Sequence, residues 1–225
     1  VPSRFGPVIE EVGYLNRLDR VAFFPWTVDA IRVLNQAGLL VVIVTNQAGV
    51  ARGYFDEALV RETHELMDRR LRAGGARIDA YYYCPHHPDG VVEALRQTCG
   101  CRKPRPGMIH QAARDLDIDV AGSFVVGDRW LDVDMGRAAG ARTVLVRTGY
   151  GLEEEARPPG SGPADPVADN LMDAAAWLLN GPEARGPRPG TCSRPRPRPG
   201  RRSDPNPPAP SRAPPPHWPR RRGTV

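Results

Sequence analysis

The chain has no run of eighteen apolar residues, so no transmembrane helix is expected. Its first residues lack a basic stretch leading into an apolar one, so no signal peptide is expected there. Cysteine is scarce: four in 225 residues, too few for a disulfide framework in a chain of this size. Three of the four fall within eighteen residues, beside histidines, which is the pattern of a metal site. A cytoplasmic location is the expectation. No internal repeat occurs. Acidic residues nearly vanish after Asn180, where Glu183 and Asp204 stand alone against eleven arginines and fourteen prolines. That segment carries +9 of the chain's +5, leaving −4 for residues 1–180. The basic balance belongs to the tail and gives no reason to expect nucleic-acid binding by the rest. With few apolar residues to offset ordering entropy, residues 181–225 read as a disordered tail. Residues 1–180 read as one domain.

Within residues 1–180 the hydrophobic pattern alternates between two periods. Asp29–Gln36 has helical spacing, and Leu39–Val44 is a continuous β-branched and leucine run, the mark of a strand buried on both faces. Asp56–Ala73 reads as a helix stopped by Gly74-Gly75. Ala80–Tyr83 is a short strand, and 84–105 is a loop too rich in Pro, His, Cys and Gly for regular structure. A helix from Pro106 to Leu116, a strand at Ser123–Val126, a helix at Val133–Ala139 and a strand at Arg142–Val146 follow, with a last helix over Val167–Leu179. Strand–helix–strand repetition predicts an α/β fold, a doubly wound and mostly parallel sheet. In such sheets ligands bind beyond the carboxyl ends of the strands.

Four constellations carry chemistry. Cys84-Pro85-His86, then twelve residues, then Cys99-Gly100-Cys101 supplies four soft ligands, a closed tetrahedral set suited to structural zinc. His86 is preferred to His87 because C-x-H mirrors C-x-C. A metal there would give a coreless loop its shape, so that binding energy becomes local folding energy. Thr45-Asn46-Gln47 ends a strand, with Arg52 five residues on; a hydroxyl and amide donors at that place suit a phosphate. Arg102 and Lys103 directly follow the last thiol and suit phosphate oxygens, one as a planar fork and one as a point charge. Gly127-Asp128 ends another strand, and a carboxylate there suits Mg²⁺, with Asp132 four residues on placed to orient the loop or helix start.

Thr after one strand, Lys before a helix and Gly-Asp-x-x-x-Asp after a later strand resemble, in order, three of the four motifs of the haloacid dehalogenase phosphatases. Within that superfamily, TNQAGVARG at 45–53, YYYCPHHPDG at 81–90 and CGCRKPRPGM at 99–108 are similar to the branch acting on heptose bisphosphates. Histidinol-phosphate phosphatases are the near relatives sharing the cysteine loop. The resemblance covers about residues 8–150. It implies a phosphoric monoester hydrolase for a small phosphosugar, removing the 7-phosphate through an aspartyl-phosphate, with catalytic Mg²⁺, structural Zn²⁺, no membrane partner and a monomeric state. Thr45, Lys103 and Asp128 would match the catalytic positions and Asn46, Gln47, Arg52, Arg102 and Lys103 the substrate-binding ones. Glu11, Val12, Gly13 and Tyr14 fall where the family also meets its substrate.

One motif departs. Asp-x-Asp-Gly-Thr should stand at 3–7, where the sequence reads Ser3-Arg4-Phe5-Gly6-Pro7. Ser3 occupies the nucleophile's position, Phe5 the general acid's, and the strand before the motif is expected to be missing. Phenylalanine neither donates a proton nor binds a metal, so this chain is expected to be inactive as written. Two readings follow: an N-terminally incomplete or frameshifted enzyme, or a non-catalytic protein that binds a phosphosugar or a partner.

Overall fold

The computed structural model describes residues 6–10, 18–158, 162 and 166–181. They belong to a compact unit spanning Val1–Pro187; the second unit, Arg188–Val225, and with it nearly all of the expected tail, lies outside the described residues. Ser3, Phe5, Glu11, Val12, Gly13 and Tyr14 lie outside them too.

The order is α1 (Thr27–Gln36), β1 (Val42–Asn46), α2 (Ala48–Ala51), α3 (Glu57–Ala73), β2 (Ala80–Cys84), α4 (Gly107–Leu116), β3 (Phe124–Gly127), α5 (Trp130–Ala139), β4 (Arg142–Val146), α6 (Gly151–Glu155), β5 (Val167–Ala168) and α7 (Leu171–Asn180). Among the described residues these strands pair in parallel, in the orders β1-β2 and β3-β4-β5, and a single antiparallel bridge joins Ile9 to Phe23. The α/β class read from the alternating periods is therefore the observed one. The side chains that fill the interior come from helices and strands alike: Ile31 of α1, Met67 and Leu71 of α3, Val144 and Val146 of β4 are all essentially inaccessible. Burial of each such side chain contributes on the order of 1.5–3 kcal/mol.

Three boundaries differ from the sequence pattern by more than two residues. The strand run Leu39–Val44 pairs only from Val42, and Leu39 and Leu40 are exposed. Val167-Ala168 is not helical: it adds a parallel strand beside Leu145 and Val146. The last helix starts after Asn170, whose side chain accepts from the N–H groups of Met172 and Asp173 at 2.8 and 3.1 Å. A capping residue outranks an apolar start. The fifth helix begins at Trp130, not Val133, because Glu154 of α6 holds its first turn by accepting from Trp130 N–H at 2.9 Å.

Among the described residues, β1 pairs only with β2 and β3 only with β4. Their remaining edges border a cavity of about 620 Å³ lined by Val42, Val44, Phe124 and Val126, with Gly6 and Asp128 also in its wall. The residues expected to lack a strand lie outside the described ones.

β2 shows how a strand with three tyrosines is held. Side chains alternate across a strand. Tyr81 and Tyr83 donate to Asp68 and Glu57 of α3 at 2.9 and 2.6 Å, and Tyr82 donates to Asp115 of α4 at 3.0 Å. Burial pushes the Tyr82 and Tyr83 hydroxyls up to about 12, helped by those carboxylates. His64 of α3 stacks on Tyr81 with ring centroids 4.4 Å apart, and burial lowers its pKa to about 4. Between pH 6.5 and 4 the unfolded chain binds a proton there that the folded chain does not, so stability falls as pH falls through that window. The loss is expected to approach 1.4 kcal/mol per pH unit, about 2 kcal/mol between pH 6.5 and 5. Urea titrations at the two pH values check it, and His64→Gln removes this component; an unchanged pH slope in the variant would assign the loss to other groups.

Candidate metal centre and phosphate site

The metal centre begins at the carboxyl end of β2. Cys84, the last residue of that strand, is fully buried, and its neighbour in register is Asn46. The loop then returns so that Cys84, His86, Cys99 and Cys101 bring one ligand atom each within 4.8 Å of one another. Cys84 Sγ lies 3.4 Å from Cys99 Sγ and 3.7 Å from His86 Nδ1; Cys101 Sγ lies 3.2 Å from Cys99 Sγ and 3.4 Å from His86 Nδ1. Thiolates at about 2.3 Å from a tetrahedral zinc stand about 3.8 Å apart, so the set is within a few tenths of an ångström of a four-ligand cage. Burial pushes the Cys84 thiol up, which a bound cation would reverse. His86 supplies the imidazole; His87 turns elsewhere, its Nε2 lying 3.1 Å from Arg52 Nη2.

The same loop delivers Arg102 and Lys103. Arg102 Nη1 donates to the His86 carbonyl at 3.3 Å. Lys103 is fixed at both ends. Its N–H donates to Asn46 Oδ1 at 3.0 Å, and Asn46 Nδ2 donates back to the Lys103 carbonyl at 3.4 Å. Its ammonium meets Asp132 Oδ1 at 2.6 Å, with both side chains nearly inaccessible. Asn46, suggested by the sequence pattern as a substrate contact, lines the cavity and also bonds the Lys103 backbone. The signal available was the register of Asn46 beside the first thiol.

Asp128 follows β3 and is buried. Its Oδ2 accepts from Tyr150 N–H at 3.2 Å. Two glycines with positive φ press against it: a Cβ at Gly6 would meet Asp128 Oδ1 at 3.1 Å, and one at Gly149 would meet Oδ2 at 2.3 Å. Backbone alone can approach this closely. Burial, then the charge of Asp132, pushes the Asp128 carboxyl up to about 7, with Lys103 opposing. A buried, oxygen-bearing group held short of full ionisation suits a divalent cation, which would restore its charge.

Asn46, Arg52, Arg102, Lys103, Asp128 and Asp132 therefore line one cavity at the carboxyl ends of β1 and β3. Thr45 and Gln47 are buried beside it, with Gln47 Nε2 donating to Thr45 Oγ1 at 3.3 Å. Cations and a buried carboxylate converging on a cleft are what a phosphate with a divalent counter-ion requires.

Comparison with known proteins gives the family. A HAD-hydrolase-like family model matches residues 100–174. The D-glycero-β-D-manno-heptose-1,7-bisphosphate 7-phosphatase of Yersinia pestis is 43% identical over 172 residues, covering 76% of this chain and 89% of that protein. The chain belongs to this phosphatase family. The Escherichia coli K12 enzyme of the same name is also 43% identical, covering 79% of this chain and 86% of its own length. Among solved structures, the D,D-heptose 1,7-bisphosphate phosphatase of B. bronchiseptica, complexed with magnesium and phosphate, aligns with a TM-score of 0.69 at 36% identity over 78% of this chain and 94% of its own. The heptose bisphosphate phosphatase family is one of phosphoric monoester hydrolases with the haloacid dehalogenase fold, so both the resemblance and the enzyme class read from the motifs hold. No helix among the described residues is long and apolar enough to cross a membrane.

Proposed function

We propose that the cleft binds D-glycero-β-D-manno-heptose 1,7-bisphosphate with its 7-phosphate between Lys103 and Asp128. The carrying observation is that Lys103 is locked by Asn46 and Asp132 beside Asp128 at the strand ends. Preorganised charge of this kind stabilises a transferring phosphoryl group without having to rearrange during the reaction. Lys103 and the Thr45 hydroxyl would hold phosphoryl oxygens, and Arg52 and Arg102 the remaining anionic and hydroxyl groups. Asn46 and Gln47 act beneath them, one on Lys103 and one on Thr45. Asp128 would hold Mg²⁺, which when bound neutralises charge on the phosphoryl oxygens. Cys84, His86, Cys99 and Cys101 would hold Zn²⁺ as a structural ion, and a thiolate set of this kind fits a reducing, cytoplasmic setting.

The chemical step needs a carboxylate nucleophile and a proton donor. Ser3 and Phe5 stand at those positions, so we propose that the chain as written binds this phosphosugar but does not turn it over. The test is phosphate release from the heptose bisphosphate by the full chain and by Ser3→Asp/Phe5→Asp/Pro7→Thr, with histidinol phosphate run beside it. Release is expected only from the restored chain and only from the heptose ester. Turnover by the unaltered chain would refute the non-catalytic reading, and preference for histidinol phosphate would move the substrate to the neighbouring branch.

A further inference from the structure

Arg129 follows Asp128 directly and lines the same cavity. A guanidinium one residue from a buried carboxylate is expected to pair with it. Among the described residues it pairs elsewhere: the carboxylate that Arg129 meets is that of Glu154 in α6, with Nε 3.3 Å from Oε1 and both side chains only partly accessible. The guanidinium also lies over the Tyr150 ring, 4.9 Å from its centroid. Tyr150 is the residue whose N–H donates to Asp128 Oδ2 at 3.2 Å. The segment after β4 therefore grips both members of the Asp128-Arg129 pair, and grips them separately.

The start of α5 shows how Glu154 is held for this task. Arg129 is the N-cap residue of that helix and gives it no side-chain capping bond. Glu154 supplies the bond from 24 residues away: its Oε2 accepts from Trp130 N–H at 2.9 Å, and its own carbonyl accepts from Trp130 Nε1 at 2.7 Å. One carboxylate oxygen is fixed on the helix start, and the other is turned to Arg129.

We propose that Glu154 is a positioning residue whose carboxylate keeps the Arg129 guanidinium off Asp128, leaving the Asp128 oxygens to the divalent cation. This rests on the reading of Asp128 as the Mg²⁺ ligand. The physical reason is charge. Burial and Asp132 push the Asp128 carboxyl up while Lys103 and Arg129 oppose them, so the guanidinium is felt at Asp128 even from where it stands. Moved onto Asp128, it would occupy the oxygens a divalent cation needs and repel the ion itself. Glu154 both restrains that charge and offsets it. A helix cap alone would not require a carboxylate. Glutamine at 154 keeps a carbonyl oxygen for Trp130 N–H but loses the negative charge, so it separates capping from control of Arg129.

Two measurements on the full-length, zinc-supplied chain test this. The first uses Mn²⁺ as the probe, titrated by electron paramagnetic resonance, with Asp128→Asn giving the background. Glu154→Gln is expected to weaken Mn²⁺ binding by about 10–100-fold. Glu154→Gln/Arg129→Gln is expected to bind Mn²⁺ as the unaltered chain does. A double variant no better than Glu154→Gln would overturn the proposal, because Glu154 would then act only through the shape of α5. Undiminished binding by Glu154→Gln would overturn it too. The second measurement needs no metal at Asp128. A crystal structure of Glu154→Gln grown without Mg²⁺ or Mn²⁺ is expected to show the Arg129 guanidinium paired with Asp128. A guanidinium that stays over Tyr150 would overturn the proposal, whatever Asp128 binds. Absence of Mn²⁺ binding by the unaltered chain would refute the assignment of Asp128 as the cation's ligand instead, with the crystal structure still judging what Glu154 does to Arg129.

Discussion

Stripping the metal from the Cys84–His86–Cys99–Cys101 cage, or replacing Cys101 by Ala, is expected to abolish binding of the phosphosugar, with affinity falling at least a hundredfold. The loop from Pro85 to Pro106 has little regular structure beyond a single turn of 3-10 helix at Glu93–Leu95. Its cysteines and Met108 form a small cluster with Met135, separate from the main core. Apparent zinc-binding free energies of about 10–16 kcal/mol in small metal-folded domains show how much order such a cage can supply. The loss would spread to the cleft through named contacts: Arg102 on the His86 carbonyl, Arg52 on His87, and Lys103 two residues past the last thiol. The sheet has its own core around Met67, Leu71 and Val144, so the main melting transition is expected to persist while the loop amides lose protection from hydrogen exchange. Metal content, affinity and exchange measured on one sample check this. Full affinity in metal-free protein would sever the link between cage and cleft.

The second large effect concerns Lys103. Lys103→Met is expected to destabilise the fold by about 3–5 kcal/mol, because Asp132 would be left as a buried, unpaired carboxylate beside Asp128. Replacing both partners, as Lys103→Met/Asp132→Asn, is expected to recover most of that stability and none of the ligand binding. The paired variants separate two roles that a single substitution confounds. The ion pair keeps the lysine ammonium in place, and under the proposed function the ammonium meets the phosphate. Denaturant titration gives the first and calorimetry the second. If Lys103→Met unfolds no more easily than the double variant, an unpaired Asp132 costs nothing there. If the double variant keeps its affinity, Lys103 is not a ligand for the phosphate.

Much of this was legible in the sequence for definite reasons. A C-x-H and a C-x-C twelve residues apart identify a four-ligand set because soft ligands seldom cluster without a metal to hold. The ends of β1 and β3 are marked by a change from β-branched residues to Thr-Asn-Gln and Gly-Asp, and parallel sheets put ligands there. Family membership follows from those same stretches. Boundaries were less legible where local propensity and tertiary context disagree. Val167 and Ala168 look like the apolar start of a helix, yet the free edge of β4 recruits them as a strand.

What only the tertiary structure decided is which polar group serves which. Asn46 and Gln47 carry amides suited to a substrate, and nothing in their order says that one also bonds the Lys103 backbone and the other Thr45. The pairing of Lys103 with Asp132 spans 29 residues, and that of Arg52 with His87 spans 35. Such pairings are set by how strands and loop converge in space, not by spacing along the chain. The sequence alone therefore determined the chemistry available at each strand end, since residue type and local pattern suffice for that. The division of labour within the cleft came from packing, because a side chain's role depends on the first partner it can reach.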